Sequence, residues 1–291
     1  MKTWFLAVRP WSFSMSAISV TLGSVLAWQG EFSWPFYFVT LLAMISLHGA
    51  ANLTNDYFDV KNGVDTPDVP TANYRPHPLM HQQINIRLVP WVIGAMYLVG
   101  IVLGLYLAAA RGWPVLVIGM AGVFTSFAYT APPINLKYRA LGEPLVFLMW
   151  GPLAVLGSYF VQAQTLSWDA VLVSLPFGAL VALVLLANNV RDSSFDKSKD
   201  ILTIAVLLGS RLGRYLYGGL MVCAFAGVAL MAVLGPLPIW SLMVLAAVPL
   251  SVPLFRMVSQ GPTLDADERT AKLDTAFGVL LIASLVLGQI T

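Results

Sequence analysis

Charge is what this chain has least of. Only 10% of its 291 residues are Asp, Glu, Lys or Arg, against 58% hydrophobic ones, where a water-soluble domain carries about 25% charged residues. That shortage excludes an ordinary soluble globule, and a mean hydropathy of +0.78 points the same way. Cysteine is nearly absent too. Cys223 stands alone inside an apolar run, which rules out an internal disulfide and reads as a small apolar filler. The opening MKTWFLAVRPWSF lacks the basic–apolar–small order of a cleavable signal, so the first apolar segment is expected to be retained. With a net charge of only +2, no nucleic-acid partner is expected, and nothing in the sequence implies an obligate protein partner.

Long apolar runs are what the chain has instead. Runs of roughly 20 residues, enough to cross a ~30 Å hydrocarbon core, recur at approximately 11–29, 34–57, 88–110, 113–130, 141–163, 168–190, 212–234, 238–257 and 273–290. The pattern predicts an all-α polytopic membrane protein, a single domain over 1–291, with about nine transmembrane helices around a central cavity. The connections alternate in character. Those after spans 1, 3, 5 and 7 carry one basic residue, Arg111, while the other fifteen of the sixteen Lys and Arg lie toward the opposite side. Positive residues stay inside, so the N-terminus and the long loops are expected in the cytoplasm and the C-terminus outside. Trp and Tyr near the span ends read as interfacial anchors.

The few acids are as one-sided as the bases. Asp56, Asp59, Asp65 and Asp68 follow span 2, and Asp192, Asp196 and Asp200 follow span 6. Asn52, Asn55 or Asp56, and Asp59 share one helical face, with His48 one turn earlier as a satisfied interior histidine. Asn188, Asp192 and Asp196 fall at i, i+4 and i+8 at the corresponding end of span 6, a faint echo that suggests two four-helix halves plus a ninth helix. Facing carboxylates repel unless a cation lies between them. Oxygen-only ligands select hard cations, and Mg²⁺ is commonly held by one or two carboxylates together with substrate phosphates. Lys61, Arg75, Lys137, Arg139, Arg191, Lys197 and Lys199 lie on the same side. Acids for metal and bases for phosphate, above an apolar cavity, describe a site for an amphiphilic diphosphate.

The segments NDYFDVKNGVD (Asn55 to Asp65) and NNVRDSSFD (Asn188 to Asp196) resemble the two aspartate-rich motifs of the UbiA superfamily of intramembrane aromatic prenyltransferases. Arg9-Pro10 at the start of span 1 fits the resemblance. The segment Tyr129 to Gln162, and the placing of Asp65 two residues after Gly63, are similar to the 1,4-dihydroxy-2-naphthoate polyprenyltransferase branch of menaquinone synthesis. The chain departs from that branch in DILTIAVLLG (Asp200 to Gly209), where two basic positions become Ile201 and Leu202, and in the loop TANYRPHPLM (Thr71 to Met80).

The resemblance implies two Mg²⁺ ions held by Asn55, Asp56, Asp59, Asp65, Asn188, Asp192 and Asp196, bridging the diphosphate of a polyprenyl donor. It implies binding of diphosphate and a small aromatic acceptor by Asn52, Lys61, Arg75, Tyr129, Lys137, Arg139 and Arg191, with Lys137 and Arg191 stabilising the leaving group and Asp68 orienting or deprotonating the acceptor hydroxyl. The implied setting is the plasma membrane of a prokaryote, with the site facing the cytoplasm and the donor tail in the bilayer. Another acceptor, such as 4-hydroxybenzoate, is compatible with the superfamily. Outside it stand the CDP-alcohol phosphotransferases, whose D-G-x-x-A-R motif is missing here, and cation-coupled transporters, whose acids sit nearer the midplane.

Overall fold

The computed structural model describes residues 2–28, 30–66 and 76–290. Asp68 and Arg75 lie outside the described residues. Among those described there is no strand, and the fold is built of helices. The main helices are α1 (Phe13–Leu26), α2 (Trp34–Lys61), α3 (Val89–Arg111), α4 (Trp113–Ala128), α5 (Gly142–Ala163), α6 (Trp168–Ser198), α7 (Ser210–Leu234), α8 (Ile239–Gln260) and α9 (Ala266–Ile290). All but α1 and α4 are long and apolar enough to cross a membrane, which makes seven. At 14 and 16 residues, α1 and α4 fall short of the ~20 residues of a full span. Among the described residues seven helices reach spanning length, and the expected count of nine is not confirmed.

Local chemistry sets several of the starts. Pro35, Pro90 and Pro114 each sit in the first turn of α2, α3 and α4, where a missing N–H costs nothing and a fixed φ is already helical. Trp34, Trp91, Trp113 and Trp168 stand exposed at the starts of α2, α3, α4 and α6, the position of interfacial anchors.

The centre of the bundle is α6. Of its most apolar stretch 72% is buried, against 17–39% for the other six long helices. It meets α5 closely at Gly178 and Gly151: a Cβ on Gly178 would come within 2.8 Å of the Gly151 Cα. Small residues let helix backbones approach in lipid, where apolar burial alone gives helices little reason to associate. At the same point α5 loosens into a π-turn over Met149–Leu153, with Pro152 inside it, and Ser19 of α1 donates to the Trp150 carbonyl at 2.6 Å. Hydroxyl pairs bind α9 to its neighbours, Tyr217 with Thr270 at 2.7 Å and Ser241 with Ser284 at 3.1 Å.

Cys223 corrects one expectation. It lies on the exposed flank of α7, so it faces outward and fills no core. Arg111, the isolated base on its side, is occupied locally: its guanidinium donates to the carbonyls of Val161 and Gln162 at 2.6 and 2.7 Å, at the end of α5.

Candidate active site

Two helices are longer than a ~30 Å hydrocarbon core requires. At 1.5 Å per residue, the 28 residues of α2 and 31 of α6 extend roughly 42 and 46 Å. Their last turns carry the acidic motifs, so each motif is helical through most of its length. α2 ends at Lys61, and Gly63 adopts the left-handed φ of +69° that favours glycine after a helix C-terminus. The chain then folds back, with the N–H groups of Val64 and Asp65 donating to the Asp59 carbonyl at 2.8 and 3.1 Å. This reversal returns Asp65 to the level of Asp56.

Both motifs open on one cavity of about 1070 Å³. Asn52, Asn55, Asp59 and Asp65 line it from one side, Asn188, Asp192 and Asp196 from the other, with Lys137 and Tyr129 between. The wall below is apolar, from Met149 and Trp150 of α5 and Val181, Val184 and Leu185 of α6. Lys199 Nζ reaches the Gly63 carbonyl at 3.5 Å, so the two motif ends meet.

The acids on α2 are buried and each has a cation. Arg9 donates to Asp56. Lys137 donates to Asp59 Oδ2 at 2.6 Å and to the Asn55 side-chain Oδ1 at 3.0 Å. Tyr138 donates to the other Asp59 oxygen. Thr130 also donates to Asn55 Oδ1, at 3.2 Å, while the Asn55 amide nitrogen donates to Asp59 at 2.9 Å. Burial alone would lower the Arg9 pKa, but Asp56, Asp65 and Asp59 hold it above its ordinary value, so it stays a cation. Burial alone would raise Asp65, but the hydrogen bond from His77, and then Lys137 and Arg9, hold its carboxyl below the usual range. Burial and then the Asp59 charge push the Tyr138 phenol well up, which keeps it a donor.

The second motif is braced differently. Arg191 donates to both Asp192 oxygens, at 2.8 and 2.9 Å, to Asn188, to Asp267 at 2.9 Å and to the Leu264 carbonyl at 2.8 Å. Its side chain is 4% exposed and is not on the cavity wall. Asn189 donates to buried Glu143 of α5 at 2.9 Å.

Lys61 lies exposed over the Tyr57 ring and Arg139 donates to the Pro133 carbonyl; neither is on the cavity wall. Asn52 lines the cavity, yet its amide is engaged with the Val8 carbonyl and Ser12, both at 3.0 Å. His48 is a satisfied interior histidine, its ring nitrogens 2.7 and 3.2 Å from Ser16 and Ser12. Arg9, His77, Tyr138 and Asp267 were not assigned to the site from sequence. Tyr138 had a signal in its adjacency to Lys137, and Arg9 in its Arg-Pro pair; for His77 and Asp267 nothing in the spacing pointed there.

The carboxylate oxygens gathered here suit a hard cation. Single ligand atoms of Asp56, Asp65 and His77 lie within 4.8 Å of one another, two of them carboxylate oxygens, and Asp192 and Asp196 add further carboxylates from the facing helix.

Residues 16–283 match the UbiA prenyltransferase family. The chain belongs to that family. It is 31% identical to the UbiA prenyltransferase domain-containing protein 1 homolog of Drosophila melanogaster, over 98% of this chain and 79% of that protein. It is 28% identical to the 1,4-dihydroxy-2-naphthoate octaprenyltransferase of Bacillus subtilis, over 96% and 90%. A UbiA homolog from Archaeoglobus fulgidus, solved bound to GPP and Mg²⁺, has the same fold, with a TM-score of 0.67 at 15% identity over 97% of this chain and 99% of that one. As a UbiA-family prenyltransferase the protein is an integral membrane enzyme. The phosphotransferase and transporter readings are set aside.

Proposed function

We propose that this UbiA enzyme transfers a polyprenyl group from a polyprenyl diphosphate to 1,4-dihydroxy-2-naphthoate, as a step in making menaquinone. One observation carries the reading: acids of both motifs and Lys137 border a single cavity that also has an apolar wall, from Met149, Trp150, Val181, Val184 and Leu185. The similarity to the Bacillus subtilis enzyme supports the acceptor.

Asp59 and Asp65 from one wall, with buried Asp56 beside Asp65, and Asp192 and Asp196 from the other would hold two Mg²⁺ ions, with Asn55 and Asn188 as neutral oxygen donors. Bound there, Mg²⁺ would neutralise the diphosphate and improve it as a leaving group. The rest is the work of side chains. Lys137 and Arg9 stand beside the carboxylates and turn to the diphosphate oxygens, countering the charge that grows as the C–O bond breaks. The bonding electron pair leaves with the diphosphate and an allylic cation remains. Val181, Val184 and Leu185 seat the isoprenoid tail. The electron-rich ring carbon bearing the carboxylate takes up the cation, and loss of CO₂ restores aromaticity. Lys137, which does line the cavity, would pair with the acceptor carboxylate, and Asp68, outside the described residues, would orient or deprotonate its hydroxyl.

The acceptor is tested by complementing a menaquinone-deficient strain that lacks its naphthoate prenyltransferase, with quinones read by mass spectrometry. Menaquinone is expected to return. A strain that stays menaquinone-free while the expressed protein prenylates another aromatic ring, such as 4-hydroxybenzoate, overturns the naphthoate assignment.

We place the site at the cytoplasmic face of a prokaryotic plasma membrane, on the segregation of basic residues. Exposed Cys223 is first replaced by Ala. Cysteines introduced as Glu31→Cys and Thr165→Cys should then react in intact cells with a membrane-impermeant maleimide, whereas Arg87→Cys and Lys199→Cys should react only after lysis. Labelling of Arg87→Cys from outside would invert the topology.

A further inference from the structure

We propose that His77 is a positioning residue: its Nε2–H holds the Asp65 carboxylate for metal, and the imidazole is not itself a ligand. The inference rests on the reading above that Asp65 helps to hold a divalent cation.

Two carboxylates and an imidazole within 4.8 Å look at first like a mixed site for a transition metal, since imidazole suits Zn, Cu, Fe and Ni better than Mg. Two hydrogen bonds decide otherwise. The Met80 backbone N–H donates to His77 Nδ1 at 3.2 Å. A ring nitrogen that accepts a hydrogen bond carries a lone pair, so the ring proton sits on Nε2. That Nε2 is 2.9 Å from Asp65 Oδ2 and 3.8 Å from Asp56 Oδ1. A protonated nitrogen cannot bind a metal. Ligation would require moving the proton to Nδ1 and losing the Met80 bond, at a side chain only 3% exposed with little access to compensating water.

The segment around His77 is built to present it. His81 N–H donates back to the His77 carbonyl at 3.1 Å, and Gln83 N–H to the Pro78 carbonyl at 2.9 Å. Leu79 and Ile84 of the same turn are buried in an apolar cluster with Leu53 of α2 and Val89 and Ile93 of α3. The imidazole is thus fixed by packing and hydrogen bonding together. With one Asp65 oxygen engaged by Nε2–H, the other is left to turn toward a cation. The metal then meets oxygen donors alone, which favours a hard ion.

Mn²⁺ binding to the purified full chain in detergent, followed by electron paramagnetic resonance, tests this. His77→Ala should weaken Mn²⁺ binding by roughly 10–100-fold, as loss of a group that orients a metal ligand does. His77→Gln should recover most of it, because its amide can donate to Asp65 and accept from Met80. The spectrum of bound Mn²⁺ should lack coupling to a directly bound imidazole nitrogen. Such coupling in the native protein, lost in His77→Gln, would overturn the proposal by making His77 a ligand. Native-like affinity in His77→Ala overturns it as well. Asp65→Asn separates the two levels: if it weakens Mn²⁺ binding while His77→Ala does not, only the role of His77 falls. If Asp65→Asn leaves binding unchanged, the metal role of Asp65 falls and the inference with it.

Discussion

Asp59→Ala is expected to lower the rate of prenyl transfer by at least ~10²-fold, the order seen when one strong electrostatic contact to a developing charge is removed. Asp59 is the point where most of the first motif converges. It accepts from Lys137, Tyr138 and Asn55, and its carbonyl anchors the turn that returns Asp65. Removing the carboxylate takes away a proposed metal ligand and the partner that places Lys137. The backbone anchor survives, so the variant should still insert and remain folded. Initial rates with a radiolabelled prenyl diphosphate and saturating Mg²⁺ measure the effect. A rate within about threefold of the native enzyme would take Asp59 out of the site.

Arg191→Ala should act chiefly on stability. The guanidinium joins Asp192 of α6 to Asp267 of α9 in a largely buried triad, and removing one partner of a buried ion pair costs about 3–5 kcal/mol because uncompensated charge remains. Thermal unfolding in detergent should show the loss. Arg191→Lys should not repair it, since an ammonium cannot reproduce the two-pronged contact to Asp192. The triple variant Arg191→Met, Asp192→Asn, Asp267→Asn should regain much of the lost stability while remaining inactive. If Arg191 instead touched the diphosphate, as its motif position implied, Arg191→Ala would raise KM and leave the unfolding temperature in place.

These cases mark where the sequence was informative. Apolar runs located the helices, yet they undershot the two that matter most. Span 2 was expected to end near residue 57 and span 6 near 190, whereas α2 runs to Lys61 and α6 to Ser198. Apolarity stops at the membrane boundary, but the i to i−4 hydrogen bonds that make a helix do not. Spacing within one helix was legible, so the Asn188–Asp192–Asp196 face was seen in advance and does line the cavity. Pairings between distant segments were not: Arg9 meets Asp56 across 47 residues and Lys137 meets Asp59 across 78. Proximity in the chain suggested Lys61 and Arg139 for the site, but neither reaches the cavity wall. The exposure of Cys223 has a related cause, because an apolar run in a membrane helix does not say which flank faces outward.

The length of α2 and α6 beyond what a hydrocarbon core requires has a consequence for traffic. On the proposed reaction, an amphiphilic donor and an aromatic acceptor enter and, besides CO₂, two molecules of opposite solubility depart: a diphosphate that belongs to the aqueous phase and a prenylated ring that belongs to oil. With the acidic turns at the proposed cytoplasmic face and the tail lodged below them, cleavage happens at the phase boundary itself. Each product is born on its own side of that boundary and partitions away from the other. Recombination would require both to return to the interface together, so the partitioning of the products slows the reverse reaction without any moving part.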